Sequence, residues 1–338
     1  MGFEGIASLI FGVGLLLIAI LVFVFDFFSK KKELKDHIWR ANLFRKQEKY
    51  QEAIKAYLEA LALDGDLVEP RRNLAWIYRK LERYSEAIRQ YIRVVGLEPE
   101  DYQTHNRLGL LYGKINKEKE AIEHYEAALE LEPNFAIAHA NLGMLYHNSK
   151  NSRMREAIEC YESALKIEQT FIMVRNLKAQ AHLSRNEYDA AIILYEGTVR
   201  ISPEPEHYLQ LGLAFSRTGR HERAISNYQK ALRIDSDSVV ALTHLGKSYG
   251  LVEKYDEAET ELNNALNINA NHAPAQYQLA IVLTAKDQLD QAMDILQQAI
   301  QNDPTVARTA KSDTNLQKLH QRPEFDQLVE HNEDEGGQ

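Results

Sequence analysis

Cysteine is almost missing from this chain: its 338 residues include one, Cys160. A single thiol excludes an internal disulfide and any cysteine-based structural zinc site, and it suits a reducing compartment. Glycine and proline are sparse, 16 and 8 residues, which disfavours a turn-rich all-β chain. Excess positive charge is missing as well. A formal net charge of −9 argues against nonspecific nucleic-acid binding, where clustered cations replace released counterions. The twelve histidines show no HExxH or comparable metal spacing, and no G-x-S-x-G elbow or glycine-rich phosphate loop occurs. No catalytic residue, metal or cofactor is therefore expected, and the chain reads as a non-enzyme. Hydrophobic content of 45% and charged content of 26% lie in the globular range, against disorder throughout.

Charge of either sign is absent between Glu4 and Asp26. Residues Ile6 to Phe25 form an apolar run of about 30 Å as a helix, the thickness of a bilayer core. A cleaved signal peptide needs a basic leading region and a shorter apolar stretch. Here Glu4 leads and the bulky Phe27 and Phe28 follow, so the run is expected to stay as a single-pass anchor. Lys30, Lys31, Lys32 and Lys35 lie just behind it. Positive-inside bias then places the N-terminus outside and the rest of the chain in the cytoplasm. Gly5, Gly12 and Ala19 have the seven-residue spacing of a close helix–helix contact. Small residues are ordinary in apolar helices, however, and homo-oligomerisation stays open.

What fills the remainder is repetition. EAIKAYLEALALD (Glu52–Asp64), EAIRQYIRVVGLEP (Glu86–Pro99) and EAIEHYEAALELEP (Glu120–Pro133) are followed by EAIECYESALKIE (Glu156–Glu168), RAISNYQKALRID (Arg223–Asp235) and EAETELNNALNIN (Glu257–Asn269). The leading alanine recurs at Ala53, Ala87, Ala121, Ala157, Ala191, Ala224, Ala258 and Ala292, at intervals of 34, 34, 36, 34, 33, 34 and 34. Four and seven residues later stand a bulky and a mostly small residue, Tyr57/Ala60 through Leu296/Ala299. Those offsets keep all three side chains on one helical face. Upstream of each lies a partner segment with a small residue and an aromatic three positions on, clearest at Gly109/Tyr112, Gly143/Tyr146, Gly212/Phe215 and Gly246/Tyr249. A glycine inside a helix costs about 1 kcal/mol relative to alanine, so its recurrence points to close approach of two antiparallel helices.

Period, small residues and aromatics together resemble the tetratricopeptide repeat. The resemblance covers residues from about Leu34 to Pro304 and implies an all-α chain, a right-handed superhelical α-α solenoid of about eight repeats preceded by one transmembrane helix. The expected organisation is an anchor at 1–29, the array at 30–304, capping helices at 305–330 and a disordered tail at 331–338. Two copies depart from the pattern. The fourth has two extra residues within His147–Arg155, and the fifth carries Lys178, Ala179 and His182 in its first helix. One span followed by cytoplasmic repeats also resembles the LapB family of lipopolysaccharide-assembly regulators, which implies a bacterial inner membrane. The paired-cysteine metal module that ends that family is absent.

The family likeness implies that first helices line a groove for partner proteins. Groove positions in the first three copies include Asn42, Arg45, Lys46, Arg72, Asn73, Arg79, Lys80, Arg107 and Lys114. Residues 30–120 hold 20 Lys/Arg against 15 Asp/Glu, a local charge of +5 within a chain of −9. An acidic peptide or an acidic face of a partner is the expected occupant, set against plain solvated charge. Repeat domains that clamp the acidic C-terminus of a chaperone use two lysines, two asparagines and an arginine. Asn42, Asn73 and Arg107 match that set, while Ile38 and Gln103 replace the lysines, and Arg72 is the candidate to compensate. The function expected is a membrane-anchored scaffold. The alternatives are an organelle-surface receptor or co-chaperone and a regulatory subunit of a membrane-associated enzyme complex.

Overall fold

The computed structural model describes residues 3–149 and 153–333, with side chains described from Leu17. Among the described residues every regular element is helical. The chain divides into two compact units at Arg153 and Met154, inside the turn that holds the two extra residues. The first unit contains α1 (Phe3–Lys46), α2 (Tyr50–Leu63), α3 (Val68–Lys80), α4 (Tyr84–Leu97), α5 (Tyr102–Lys114), α6 (Glu118–Leu131) and α7 (Ala136–His147). The second runs through α8 (Met154–Ile167), α9 (Ile172–Ser184), α10 (Tyr188–Ile201), α11 (Pro205–Arg217), α12 (His221–Ile234), α13 (Val239–Leu251), α14 (Tyr255–Ile268), α15 (Ala273–Ala285) and α16 (Leu289–Asn302). It closes with α17 (Thr305–Ser312), a 3-10 turn, α18 (Gln317–His320) and α19 (Pro323–Glu333).

Within each unit consecutive helices form antiparallel hairpins, and the repeated alanine–bulky–small triplet is what they bury. Every member of the eight triplets, from Ala53, Tyr57 and Ala60 to Ala292, Leu296 and Ala299, is at most 3% exposed. Thr198 takes the small position in α10 and sends its hydroxyl to Asn176 Oδ1 at 3.0 Å and to the Leu194 carbonyl at 3.2 Å. Its polarity is thereby absorbed. The unusual first helix of the fifth repeat is accommodated by charge. Lys178, where six other copies have leucine, reaches Glu162 at 3.0 Å, and Ala179 beside it, at the Gly/Ala position, is fully buried. After α16, the C-terminal helices bury Val306, Ala310, Leu316, Leu319, Phe325 and Val329.

The two helices of a hairpin are joined by one residue with left-handed backbone: Glu48, Glu82, Asn116, Asn186, Gly219, Glu253 and Asp287, with φ between 57° and 73°. The N–H after it donates back to the aromatic end of the first helix, as in Arg83 to the Tyr78 carbonyl at 2.8 Å and Lys117 to Tyr112 at 2.9 Å. This is the bond that closes a helix C-terminus around a left-handed residue. An L side chain there costs about 1–2 kcal/mol. Among the described residues exposed Glu82 makes no ion pair, so Glu82→Gly is expected to raise stability by about 1 kcal/mol in urea unfolding. A loss of stability would show that the Glu82 side chain contributes something else.

The expectation of a single-pass protein, with repeats in the cytoplasm of a bacterial inner membrane, is corrected here. Among the described residues no helix is long and apolar enough to cross a membrane. The side chains of residues 6–16 and 19, and with them the Gly5, Gly12 and Ala19 face, lie outside the described residues. The described apolar part runs from Leu17 to Phe25 and ends at Asp26, which pairs with Lys30 at 2.9 Å. That length of helix rises about 14 Å, against about 30 Å of bilayer core. Lys30, Lys31, Lys32 and Lys35 are exposed along α1 and lose their assignment as a membrane flank. The likeness to the LapB regulators rested on that span and loses its basis with it.

A basic cleft in the first unit

Side chains from α1, α3 and α5, with Tyr91 of α4, surround one cleft of about 330 Å³. Four of the expected groove residues meet there, Arg45, Arg72, Asn73 and Arg107, together with Gln103. Trp76 and Tyr91 form its aromatic floor. The Arg45 guanidinium lies 5.8 Å and Lys80 Nζ 5.7 Å from the centre of Trp76, and Arg107 lies 6.0 Å from the centre of Tyr91. Such stacking holds a cation over a ring face while leaving its N–H groups available. Asn42 does not line the cleft. Its Oδ1 accepts from the Tyr57 hydroxyl at 2.7 Å, which ties α1 to α2. Lys46, Arg79, Lys80 and Lys114 are exposed around it.

The cations in this cleft are not equivalent. Arg72 is bonded to Glu69 at 2.5 Å, to Asp101 at 2.7 Å and to Glu98. Burial pulls its pKa down, but the hydrogen bonds of Glu69 and Asp101 and the nearby carboxylate charges outweigh this and hold it above its ordinary value. Asp101 also caps α5, accepting from Thr104 N at 3.1 Å and Thr104 Oγ1 at 2.5 Å. Burial pushes its carboxyl up, yet Thr104 and Arg72 together hold it below the usual range. Arg72 is thus consumed by the fold, and it cannot replace the missing clamp lysines. Among the described residues Arg45 and Arg107 have no carboxylate partner, and Arg45 Nε is buried without a hydrogen-bond partner. Charge counting pointed to the region. Trp76, Tyr91, Glu69 and Asp101 escaped it because their neighbours are set by the hairpin turns.

Beside the cleft, His105 and His124 meet Nδ1 to Nδ1 at 3.2 Å across α5 and α6, and Tyr112 stacks on His124 at 5.3 Å. One ring must donate and the other accept, so the contact needs at least one neutral imidazole. Burial, and then the charge of His105, lowers the His124 pKa below 6.5. Burial lowers His147 and His272, and lowers His244 with help from Lys247 and His272. With folded values below the unfolded one, the unfolded chain binds protons first. Stability is therefore full above about pH 6.5 and falls as pH drops through that value. The thermal midpoint is expected to decline between about pH 7.5 and about pH 5, and His124→Gln is expected to flatten part of the decline. An unchanged slope would remove His124 from the cause. Among the described residues no three His, Cys, Asp or Glu are grouped to hold a metal.

Family models described as tetratricopeptide repeat match residues 36–97, 102–135, 124–159, 149–204 and 251–312, together well over half of the chain. One described as anaphase-promoting complex subunit 3 matches 184–265. Among curated proteins, the chain is 26% identical over 112 residues to the BBSome complex member BBS4 of Bos taurus, covering 33% of this chain and 21% of that protein. It is 28% identical over 108 residues to anaphase-promoting complex subunit 3 of Schizosaccharomyces pombe, covering 32% of this chain and 16% of that protein. The chain thus spans about a fifth or less of the length of these relatives. The solved C-terminal part of a repeat protein from Cytophaga hutchinsonii superposes with a TM-score of 0.62 at 18% identity, over 71% of this chain and 98% of that one. The helical hairpins, their buried triplets and these matches agree: the chain belongs to the tetratricopeptide-repeat family.

Proposed function

We propose that this chain is a protein-binding scaffold whose first unit holds an acidic segment of a partner protein against Arg45 and Arg107. The observation that carries this reading is the sorting of cations in one cleft. Arg72 is neutralised by three carboxylates, while Arg45 and Arg107 lie over Trp76 and Tyr91 with none. A carboxylate entering this partly enclosed site meets cations already oriented and partly desolvated, where attraction exceeds that on an open surface. Asn73 and Gln103 offer amide donors beside them. The surplus of +5 over residues 30–120 steers such a segment from a distance. A chaperone-type clamp for a terminal carboxylate is not favoured, because Asn42 is engaged by Tyr57 and both lysine positions are uncharged. The likeness to members of multisubunit complexes supports a place in protein assembly. We also infer that residues 305–330 close the apolar end of the array, as open repeat stacks require.

The test is binding of a fluorescent octaglutamate peptide to the full chain, with zero-length carbodiimide cross-linking to show where it sits. Attachment at Lys80, beside Trp76, reports this cleft. The double substitution Arg45→Gln, Arg107→Gln is expected to weaken binding here at least about tenfold. Raising salt should weaken the wild type in the same direction. Unaltered Lys80 cross-linking in the double variant would sink the reading.

A further inference from the structure

The second helix of the sixth repeat opens with a cation where most of the others carry an acid. The residue before the first buried alanine is Glu52, Glu86, Glu120, Glu156 and Glu257 in five copies, Ala190 and Gln291 in two more, and Arg223 in α12. Glu86 and Glu120 each pair with the cation three residues earlier, Arg83 at 2.8 Å and Lys117 at 3.2 Å. At the same step α12 has Arg220, which crosses to Asp189 at 2.5 Å instead. Arg223 is the third residue of α12, where the positive end of the helix dipole disfavours a cation. It is also exposed. Neither packing nor helix stability therefore accounts for arginine at this point.

What surrounds it does. Arg223 lies 5.5 Å from the centre of Phe215, and Lys230 Nζ lies 5.8 Å from the centre of Tyr208. Tyr208 is itself a departure, since the equivalent residues of the first four copies are His37, Arg71, His105 and His139. Arg200 at the end of α10 completes the group, its Nε donating to the Glu196 backbone carbonyl at 3.1 Å. These side chains and Asn227 line an open cleft of about 610 Å³ between α10, α11 and α12. Glu196 lines it too, yet among the described residues Arg200, Arg223 and Lys230 form no ion pair with any carboxylate. Outside residues 30–120 the chain carries −14, so this cluster runs against its background.

We propose that this cleft is a second docking site, which takes an acidic segment of a partner protein with its carboxylates against Arg200, Arg223 and Lys230. Its cations stand on two second helices, whereas those of the first unit's cleft stand on first helices, and the two share no residue. A scaffold with both can hold two acidic segments at once. The proposal does not depend on occupancy of the first cleft.

The full chain is titrated with octaglutamate and treated with carbodiimide, and the attached lysines are identified. Lys230 reports this cleft and Lys80 the other. Arg223→Glu restores the acid that most repeats carry, so its thermal midpoint should match or exceed that of the wild type. The expected result is attachment at both lysines in the wild type. In Arg223→Glu, Lys230 attachment should fall at least about tenfold while Lys80 attachment persists. Persistent Lys230 attachment in that variant, or none in the wild type, overturns the proposal. So does protection of Lys230 from chemical labelling by inorganic phosphate but not by the peptide, which would mean a small-anion site. Loss at Lys80 alone sinks only the first cleft.

Discussion

Valine at Gly212 is expected to lower the stability of the second unit by about 3 kcal/mol or more. A Cβ built there would lie 2.5 Å from Tyr228 Cε1 and 2.7 Å from Cδ1, well inside contact distance. The ring has nowhere to go: Tyr228 is fully buried and its far side stacks on His244 of α13 at 5.8 Å. The backbones must then part, and separating α11 from α12 exposes Ala224 and Ala231 as well. Alanine meets the same collision but recovers about 1 kcal/mol of helix propensity, so its loss should be smaller. Repeat arrays are coupled mainly through nearest neighbours. Hydrogen exchange should accordingly rise first in α11 and α12 and much less in α16. A urea-unfolding loss below about 1 kcal/mol for Gly212→Val would mean that the Tyr228 ring can yield after all.

The close approach behind that collision was legible in the sequence because it repeats. A Cβ added at Gly109 would lie 2.7 Å from Tyr125 and one at Gly246 would lie 2.6 Å from Leu262 Cγ. The recurring spacing implied close approach through paired small residues, and the glycine instead meets the bulky member of the triplet. Period and one-sided burial are local properties, and they transfer from copy to copy. The joining residues left no such trace. Six of the seven described left-handed positions are Glu, Asn or Asp and only Gly219 is glycine, so the turn geometry overrode the residue preference. The site was legible only as surplus charge. Arg72 finds Glu98 and Asp101 across a loop, 26 and 29 residues away, and no count of lysines and arginines can subtract cations already spoken for. Arg223 was visible as RAISNY among the EAI copies, but Arg200 and Tyr208 become its neighbours only after two turns. The apolar leading run was the most conspicuous feature of the sequence, and the described helix does not sustain the span read from it.

Arg72 and Arg107 line the same cleft, and their substitutions are expected to fail in opposite ways. Arg72→Glu should destabilise the first unit by about 2–3 kcal/mol, as it sets a fourth acid among Glu69, Glu98 and Asp101. The pairs do not count equally. Glu69 and Glu98 are 71% and 46% exposed and contribute little through solvent. Asp101 is 13% exposed and caps α5, so losing its cation is felt by the helix start. Arg107→Glu removes no carboxylate pair and should shift stability by under about 0.5 kcal/mol, while abolishing peptide attachment at Lys80. The pH dependence separates the two further. Asp101 is held below its ordinary 3.8, so its contribution is present above that value and is lost as pH falls through it. The gap between wild type and Arg72→Glu in urea unfolding should therefore hold from about pH 7 to about pH 4 and narrow only as pH falls below about 4. Equal stability of the two variants at neutral pH would defeat the division between a cation that builds the cleft and one that serves its ligand.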